Sequence, residues 1–422
     1  MGIFRRHRIR YLLLACGTTA VVLWIALNIE ITNETNMIED KQTNLQQGKY
    51  GSKSQDWKNK YQQRIPTIPS QSGEQHIPTF PPIKSQDDVC QPKQQILFLK
   101  THKTGSSTVT SILQVYGYWR NLTFAVPKSG AQILSRSFFR AGQVHPGKYD
   151  MLVNHARYNR DEMEKVMKPG AKYITILRDV TTQIESNFGY FGLYYSFGLK
   201  NSSNPFKTFA ENPSYYWTTY KRASFRRYMK NPNLFDLGLS EKDQENITAV
   251  ERLITKISQE FDLVLIQEYF NESLLLLKKL MCWKLEDILY LSKGKRSSRI
   301  RFVVEQRTIL SIRRWSWADV LLYDHFNKTL WKKIEEYGPS FNADLAEFES
   351  KLNETLYNCT LPNARIYDNR RETALRKNPK GSPKCDDMLR NDLHFTKMLR
   401  RIQYGENIDG TKLPNKTSPK KS

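Results

Sequence analysis

The chain has 422 residues, of which 39% are hydrophobic and 25% charged, so it can bury a core and is not disordered throughout. Its formal net charge of +23 indicates an anionic partner, which could be nucleic acid, a membrane surface, or a phosphorylated or sulfated small molecule. The sequence contains no RNP, zinc-finger or basic-zipper pattern, so we predict no nucleic-acid partner.

The first predicted element is a membrane anchor. Four arginines lie in residues 1–10, and residues 11–29 that follow carry no charge. About 20 apolar residues suffice to cross a bilayer as a helix, and preceding basic residues favour a cytoplasmic N-terminus. We predict a cytoplasmic tail at 1–10 and an uncleaved signal anchor at 11–29. A cleaved signal peptide is the alternative, with only a weak small-x-small cleavage site to support it.

Two features agree with a lumenal or extracellular location after residue 30. Asn-x-Ser/Thr sequons, which accept N-linked glycans, lie at Asn33, Asn121, Asn201, Asn246, Asn271, Asn327, Asn353, Asn358 and Asn415. Apart from Cys16 inside the anchor, the cysteines form an even set that predicts two disulfides: Cys90, Cys282, Cys359 and Cys385. Three pairings of these four are open, and their spacing matches no zinc site, so no metal is predicted.

Composition divides the rest of the chain. Residues 30–92 are rich in Gln, Asn, Lys, Ser and Pro without apolar periodicity, and we predict an extended stem there. A lumenal catalytic domain is predicted at 93–402 and a flexible basic tail at 403–422.

Predicted strands and helices alternate from residue 94 onward. The short apolar runs typical of buried parallel strands are "QILFLK", "YDMLVNH", "KYITILR" and "FDLVLIQE". Helical spacing follows in "SSTVTSILQVYGYW", "NRDEMEKVMKPG", "SEKDQENITAVERLITKISQE", "NESLLLLKKLMCW" and "WADVLLYDHFNKTLWKKIEEYG". This order predicts an α/β domain with a mostly parallel central sheet flanked by helices.

The loop "KTHKTGSST" joins the first strand to the first helix. In an open α/β sheet, ligands bind at the carboxyl ends of strands, and a helix N-terminus favours an anion. The loop therefore predicts a phosphate site. Lys103 supplies a full charge, Gly105 lets the backbone come close to a ligand, and the other residues supply hydroxyl donors. The predicted site residues are Lys103, Thr104, Gly105, Ser106, Ser107 and Thr108. It is not a Walker A loop, because its lysine precedes its only glycine.

This loop resembles the 5′-phosphosulfate loop of sulfotransferases, which use 3′-phosphoadenosine 5′-phosphosulfate as donor. A second segment, "ILRDVTTQIESNFGYF", resembles the family's 3′-phosphate site, in which an arginine and a serine bind the donor. The matching residues are Arg178 at a strand end and Ser186 about two helical turns further along. The alternative for Arg178 is a surface ion pair with Asp179 or Glu185.

A narrower resemblance covers roughly residues 94–337. "FLKTHKTGSST", "NHARY", "LVLIQEYFNESLLLLKKLMCWKLEDILY" and "LYDHFNKTLWKKIE" are similar to the galactose-3-O-sulfotransferases. That resemblance implies a P-loop-like sulfotransferase fold, a single-pass type II Golgi membrane protein, and transfer to the 3-hydroxyl of a terminal galactose. The acceptor would be a glycolipid, such as galactosylceramide, or a glycan, and no prosthetic group is implied. The oligomeric state, including a homo-oligomer, stays open.

Sulfuryl transfer needs positioning, charge neutralisation and a base for the sugar hydroxyl. Lys103 would contact the bridging oxygen and the 5′-phosphate. His102 is the favoured base, and His155 in "NHARY" has a sugar-binding or base role, since both match histidines of the family motifs. Glu268 could orient the acceptor or pair with a core arginine. The basic segment 292–301 could close over the phosphates or lie in solvent.

Three other features of the sequence bear on its function. Aromatic residues are numerous in 216–232 and aromatic rings often stack on sugars, but ordinary packing is the commoner explanation, so no site residue is predicted there. A Golgi glycosyltransferase would share the topology and compartment, but no Asp-x-Asp metal motif occurs in the chain. A non-catalytic basic glycan- or matrix-binding protein would explain the charge but not two phosphate-binding segments at strand ends.

Overall fold

The computed structural model describes residues 90–128, 133–221, 225–292, 295–367 and 372–405. The predicted cytoplasmic tail, the anchor at 11–29 and nearly all of the stem lie outside these residues, as do residues 406–422 of the predicted basic tail. Within the described ranges no helix is both long and apolar enough to cross a bilayer.

Nine strands are described: β1 Ile96–Leu99, β2 Ile133–Phe138, β3 Met151–Leu152, β4 His155–Arg157, β5 Lys172–Leu177, β6 Leu263–Ile266, β7 Lys295–Arg296, β8 Thr360–Tyr367 and β9 Glu372–Lys377. The described α-helices are α1 Ser106–Tyr118, α2 Arg160–Glu164, α3 Val180–Tyr190, α4 Leu193–Ser196, α5 Pro205–Glu211, α6 Pro213–Thr219, α7 Pro232–Asp236, α8 Ile247–Glu260, α9 Phe270–Met281, α10 Gln306–Trp315, α11 Trp317–Tyr337, α12 Phe341–Cys359, α13 Pro383–Leu389 and α14 Asp392–Tyr404. Short 3₁₀ turns include Arg226–Met229, Gln267–Tyr269 and Ser298–Ile300.

The central sheet has the strand order β3-β1-β5-β6, and all its neighbours pair in parallel. All four β1 side chains are fully buried, as their continuous apolar run predicts. Burying an aliphatic or aromatic side chain stabilises the fold by about 1.5–3 kcal/mol, so β1 is a strong anchor for the loop that follows it. The predicted mixed α/β class with a parallel central sheet flanked by helices is confirmed.

Helices cover this sheet on the residues that the sequence pattern selects. Helices α9 and α11 pack on β6, and α14 packs on α1. The apolar positions of α8 at Val250, Ile254 and Ile257 recur at helical spacing and face the core. Asn246 begins this helix by accepting a hydrogen bond from the Ala249 N–H, which satisfies one of the free donors of the first turn.

Two smaller sheets were not predicted. Strands β2 and β4 pair in parallel beside the main sheet. Strands β7, β9 and β8 form an antiparallel sheet that brings the 295–296 segment against the C-terminal part of the chain. The helices at 383–389 and 392–404 were not predicted either.

Both predicted disulfides form, and the structure selects one of the three pairings. Cys90 pairs with Cys282, and Cys359 pairs with Cys385. The first bond ties the start of the described chain to the end of α9, across 192 residues of sequence. The second joins the end of α12 to α13.

Candidate functional site

The loop after β1 is held in place by its own side chains. Thr101 donates a hydrogen bond to the Ile176 carbonyl of β5 at 2.6 Å and contacts the Thr104 hydroxyl at 2.7 Å. The Ser106 hydroxyl donates to the Thr101 carbonyl at 2.5 Å. The hydroxyls of Thr104 and Ser106 therefore shape the loop, and any part they take in anion binding would come chiefly through their backbone N–H groups.

Helix α1 starts at this loop without a side-chain cap. Gly105 occupies the N-cap position with φ of 81°, a left-handed conformation that favours glycine. A Cβ atom there would lie 3.3 Å from Cγ of Gln267, which follows β6. The first N–H groups of a helix have no partner within the helix, so α1 offers an anion both donors and a partial positive charge.

The two predicted anion-binding segments touch each other. The Arg178 guanidinium, directly after β5, donates to the Lys103 carbonyl at 3.1 Å and to the Thr182 hydroxyl at 3.0 Å. The Lys103 ammonium lies 3.4 Å from the ring centroid of Tyr190, at the end of the helix that Arg178 precedes. Both cations thus border α3 at one edge of the sheet.

Burial works against the charge of Arg178. Desolvation lowers the pKa of its guanidinium, the nearby Glu268 carboxylate acts in the opposite direction, and the Arg296 cation lowers it further. The last effect places a third positive charge within electrostatic reach of Arg178. An anion bound there would offset both the desolvation and the mutual repulsion.

Ser186 is buried on α3, and the basic segment 295–301 packs beside it. Arg296 forms an ion pair with Glu185, the residue before Ser186, and donates to its carbonyl at 3.2 Å. A Cβ atom on Gly189 would lie 2.2 Å from the Ile300 carbonyl oxygen, so only glycine allows this close approach. The described part of the basic segment therefore contacts the helix that carries Ser186.

His102 is held from three sides. Its backbone N–H donates to Asp236 Oδ2 at 2.8 Å, and its ring Nδ1 lies 3.0 and 2.9 Å from the two Asp236 carboxylate oxygens. Its Nε2 lies 3.1 Å from the Tyr228 hydroxyl. The His102 carbonyl accepts a hydrogen bond from Gln183 at 2.8 Å.

His155 stacks on His102, with ring centroids 4.2 Å apart and planes 18° apart. Its Nδ1 lies 2.9 Å from the Lys100 carbonyl, and a carbonyl can only accept, so Nδ1 carries the proton and Nε2 keeps a lone pair. Desolvation lowers the pKa of His155 well below its usual value, and the nearby His102, Lys100 and Lys103 act in the same direction. His155 is therefore a neutral ring.

Lys100 and Glu268 serve the framework of the site. The Lys100 side chain is 2% exposed, and its ammonium forms an ion pair with Asp392, at the start of α14. Glu268 accepts from the Asp179 N–H at 3.0 Å and from the Tyr323 hydroxyl at 3.1 Å, and desolvation raises its pKa. Glu268 thus anchors the residue that begins α3.

The structure adds residues that sequence reasoning missed. Asp236 ends α7, which lies 134 residues from His102 in the chain, and no spacing rule connects them. Tyr228 lies in the aromatic-rich stretch 216–232, whose composition was the only available signal. In the part of the chain that the structure describes, no cluster of three or more His, Cys, Asp or Glu side chains is arranged to hold a metal ion.

Asp319 is a buried carboxyl that positions α7. It accepts hydrogen bonds from the N–H groups of Asn233 and Leu234, each at 2.9 Å. Desolvation is the main cause that raises its pKa to about 7, and the nearby Asp236 raises it as well. Its proton is therefore held more tightly in the folded protein than in the unfolded chain.

This difference predicts a pH-dependent stability. Between pH 4 and 7 the folded state keeps a proton on Asp319 that the unfolded chain has lost. The protonated carboxyl therefore contributes fully to the free energy of unfolding at low pH, and this contribution is lost as the pH rises through 7. It amounts to up to about 4 kcal/mol for a shift of three pKa units. In urea titrations from pH 4.5 to 8, Asp319→Asn should flatten the fall in the free energy of unfolding. An unchanged slope would contradict this role for Asp319.

The arrangement of these groups defines a class of protein. Two cationic segments lie at neighbouring strand ends, beside a pair of stacked histidines on a parallel α/β sheet, as expected of a sulfotransferase. The chain belongs to the galactose-3-O-sulfotransferase family, whose sequence model matches residues 50–378.

Individual relatives agree with this assignment. The chain is 34% identical over 284 residues to the galactosylceramide sulfotransferase of Bos taurus, covering 66% of this chain and 67% of the relative. It is 36% identical over 255 residues to the Mus musculus galactosylceramide sulfotransferase, covering 59% and 60%. It is 34% identical over 250 residues to galactose-3-O-sulfotransferase 3 of Mus musculus, covering 58% of each chain. The match thus spans about three fifths to two thirds of each relative's length.

Proposed function

We propose that this protein transfers a sulfuryl group from 3′-phosphoadenosine 5′-phosphosulfate to the 3-hydroxyl of a terminal galactose, in a P-loop-like sulfotransferase fold. The observation that carries the proposal is the hydrogen bond from Arg178 to the Lys103 carbonyl. It joins the two segments that would hold opposite ends of one nucleotide.

The donor would bind along α3 and the start of α1. The backbone N–H groups from Gly105 to Thr108 would receive the 5′-phosphosulfate, with Lys103 at the bridging oxygen. Arg178 and Ser186 would receive the 3′-phosphate, and Arg296 would add charge nearby. In the free protein the Lys103 ammonium lies over the Tyr190 ring. It would move from that ring to the phosphate when the donor binds.

The acceptor hydroxyl would attack sulfur in line with the leaving phosphate oxygen. As the new S–O bond forms, the S–O bond to the phosphate breaks, and its electron pair leaves on adenosine 3′,5′-bisphosphate. The hydroxyl proton would pass to His102. His155, a neutral ring with a lone pair on Nε2, suits acceptance of a hydrogen bond from a sugar hydroxyl better than it suits proton removal.

The acceptor class rests on the relatives' names. These are galactosylceramide sulfotransferases and a galactose-3-O-sulfotransferase, so a galactose-terminated glycolipid or glycan is the acceptor that we propose. We further propose a single-pass Golgi membrane protein whose catalytic domain is lumenal. The two disulfides support an oxidising compartment, and sequon residues Asn121, Asn201, Asn353 and Asn358 are exposed to receive glycans.

Donor-product binding tests the proposal directly. Adenosine 3′,5′-bisphosphate at about 100 times its Kd should add about 2.7 kcal/mol to the free energy of unfolding, seen as a rise in melting temperature. Adenosine is the matched ligand control, and Arg178→Ala should reduce the rise. Transfer from radiolabelled donor to a panel of galactosides, with linkage analysis, then identifies the product. Absence of stabilisation by adenosine 3′,5′-bisphosphate would refute donor binding and favour a non-catalytic basic matrix-binding role.

A further inference from the structure

The carboxylate of Asp236 meets His102 through both of its oxygens. One oxygen accepts from the His102 backbone N–H at 2.8 Å, and both lie within 3.0 Å of ring Nδ1. The Asp236 side chain is 4% exposed, and that of His102 is 13% exposed. The contact therefore fixes the ring's position relative to its own backbone as well as relative to α7.

This contact determines which ring nitrogen carries the proton. An ionised carboxylate only accepts hydrogen bonds, so Nδ1 facing it must donate. The Nε2 atom is then left with its lone pair. The Tyr228 hydroxyl, 3.1 Å away, shows that a hydroxyl group can approach that lone pair. A sugar hydroxyl in its place would find an acceptor for its proton.

We propose that Asp236 is a positioning residue for sulfuryl transfer, which holds His102 in the tautomer and orientation needed to take the proton from the acceptor hydroxyl. The inference rests on the proposed function. In the transfer step Asp236 would act through His102: the proton goes to Nε2, and the carboxylate lies against the positive charge that the ring then gains. This role requires no contact between Asp236 and donor or acceptor.

Asparagine at this position would remove the negative charge beside Nδ1 and put an amide NH₂ group where one carboxylate oxygen now lies. Its amide oxygen would still accept from the His102 backbone N–H, and the NH₂ group would compete for the Nδ1 lone pair. The tautomer protonated on Nε2, which cannot accept another proton there, would then gain in population. We expect Asp236→Asn to lower kcat on the order of 10²- to 10⁴-fold, with the donor KM changed little.

A double-mutant cycle separates positioning from a general structural role. If Asp236 acts through His102, adding Asp236→Asn to His102→Ala should lower kcat by less than threefold, because the group it positions is already gone. If the double variant instead loses the product of the two single losses, the proposal is overturned. Asp387→Asn is the matched control, a buried carboxylate that binds Trp119 and Arg390, and its kcat should stay within threefold of the unchanged protein.

A measurement on the unaltered protein decides the matter even if Asp236→Asn does not fold. ¹⁵N NMR of the full-length chain labelled at histidine should show His102 protonated at Nδ1 and unprotonated at Nε2 when neutral. Its signal is assigned by its loss in His102→Ala. The opposite tautomer would overturn the proposal. Absence of sulfuryl transfer in the unaltered enzyme would refute the proposed function separately, since the tautomer is measured without turnover.

Discussion

Replacement of Lys103 by alanine should lower kcat by about 10²- to 10³-fold, as expected when one preorganised donor to a developing negative charge is removed. The fold should persist, because the ammonium is a partly exposed group that rests on the Tyr190 ring, a contact worth about 0.5–1 kcal/mol at such sites. Steady-state kinetics with labelled donor would measure the loss, and thermal melting would verify the fold.

Two variants make this result specific. Lys332→Ala removes a positive charge whose side chain is 77% exposed on α11, so its kcat should match that of the unchanged enzyme. Lys103→Arg keeps the charge but spreads it over a planar group, so part of the loss should remain. Near-normal turnover in Lys103→Ala would show that Lys103 has no role in the transfer step.

Breaking the ion pair between Lys100 and Asp392 should strongly lower the free energy of unfolding. Asp392→Ala leaves the Lys100 side chain, 2% exposed, without its carboxylate, and we expect the free energy of unfolding to fall by about 3–5 kcal/mol. Asp392 also accepts from the Ser107 hydroxyl at 3.3 Å, so the same change removes a second contact between α14 and the start of α1. Urea or guanidinium titration would measure the difference.

A surface ion pair provides the matched comparison. Lys377 and Asp386, about 43% and 42% exposed, also lie in the C-terminal part of the chain, and Asp386→Ala should cost no more than about 1 kcal/mol. The double change Lys100→Met with Asp392→Leu should recover much of the loss, because no charge then stays buried alone. If Asp386→Ala and Asp392→Ala lower the free energy of unfolding equally, leaving Lys100 buried without a carboxylate does not destabilise the fold more than breaking a surface ion pair.

Local sequence signals predicted the sheet and two candidate anion-binding segments at its edge. The apolar runs at 96–99, 172–177 and 263–266 form consecutive strands of the central sheet. A continuous apolar run is typical of a strand that is buried on both faces. Once those strands are parallel, the groups that follow them share one edge of the sheet. The contact between the Arg178 guanidinium and the Lys103 carbonyl follows from that geometry.

Long-range side-chain partners could not be predicted in the same way. The pairing of His102 with Asp236 depends on where α7 packs, which is decided by Asp319 and other buried groups from distant parts of the chain. The C-terminal helices were missed because their role, covering α1 and neutralising Lys100, is apparent only in three dimensions. The disulfide pairing was likewise set by the fold and not by cysteine spacing.

The adjacency of β1 and β5 has a consequence for how such an enzyme can diversify. Backbone hydrogen bonds hold neighbouring strands about 4.8 Å apart. Because β1 and β5 are neighbours, changes in the loops do not alter the distance between the strand ends that carry the two anion-binding segments. Residues 191–262, which connect α3 to β6, are not held at that spacing, apart from Tyr228 and Asp236, which contact His102. In the enzyme that we propose, changes elsewhere in this crossover would alter the preference for the sugar while the two anion-binding segments keep their spacing.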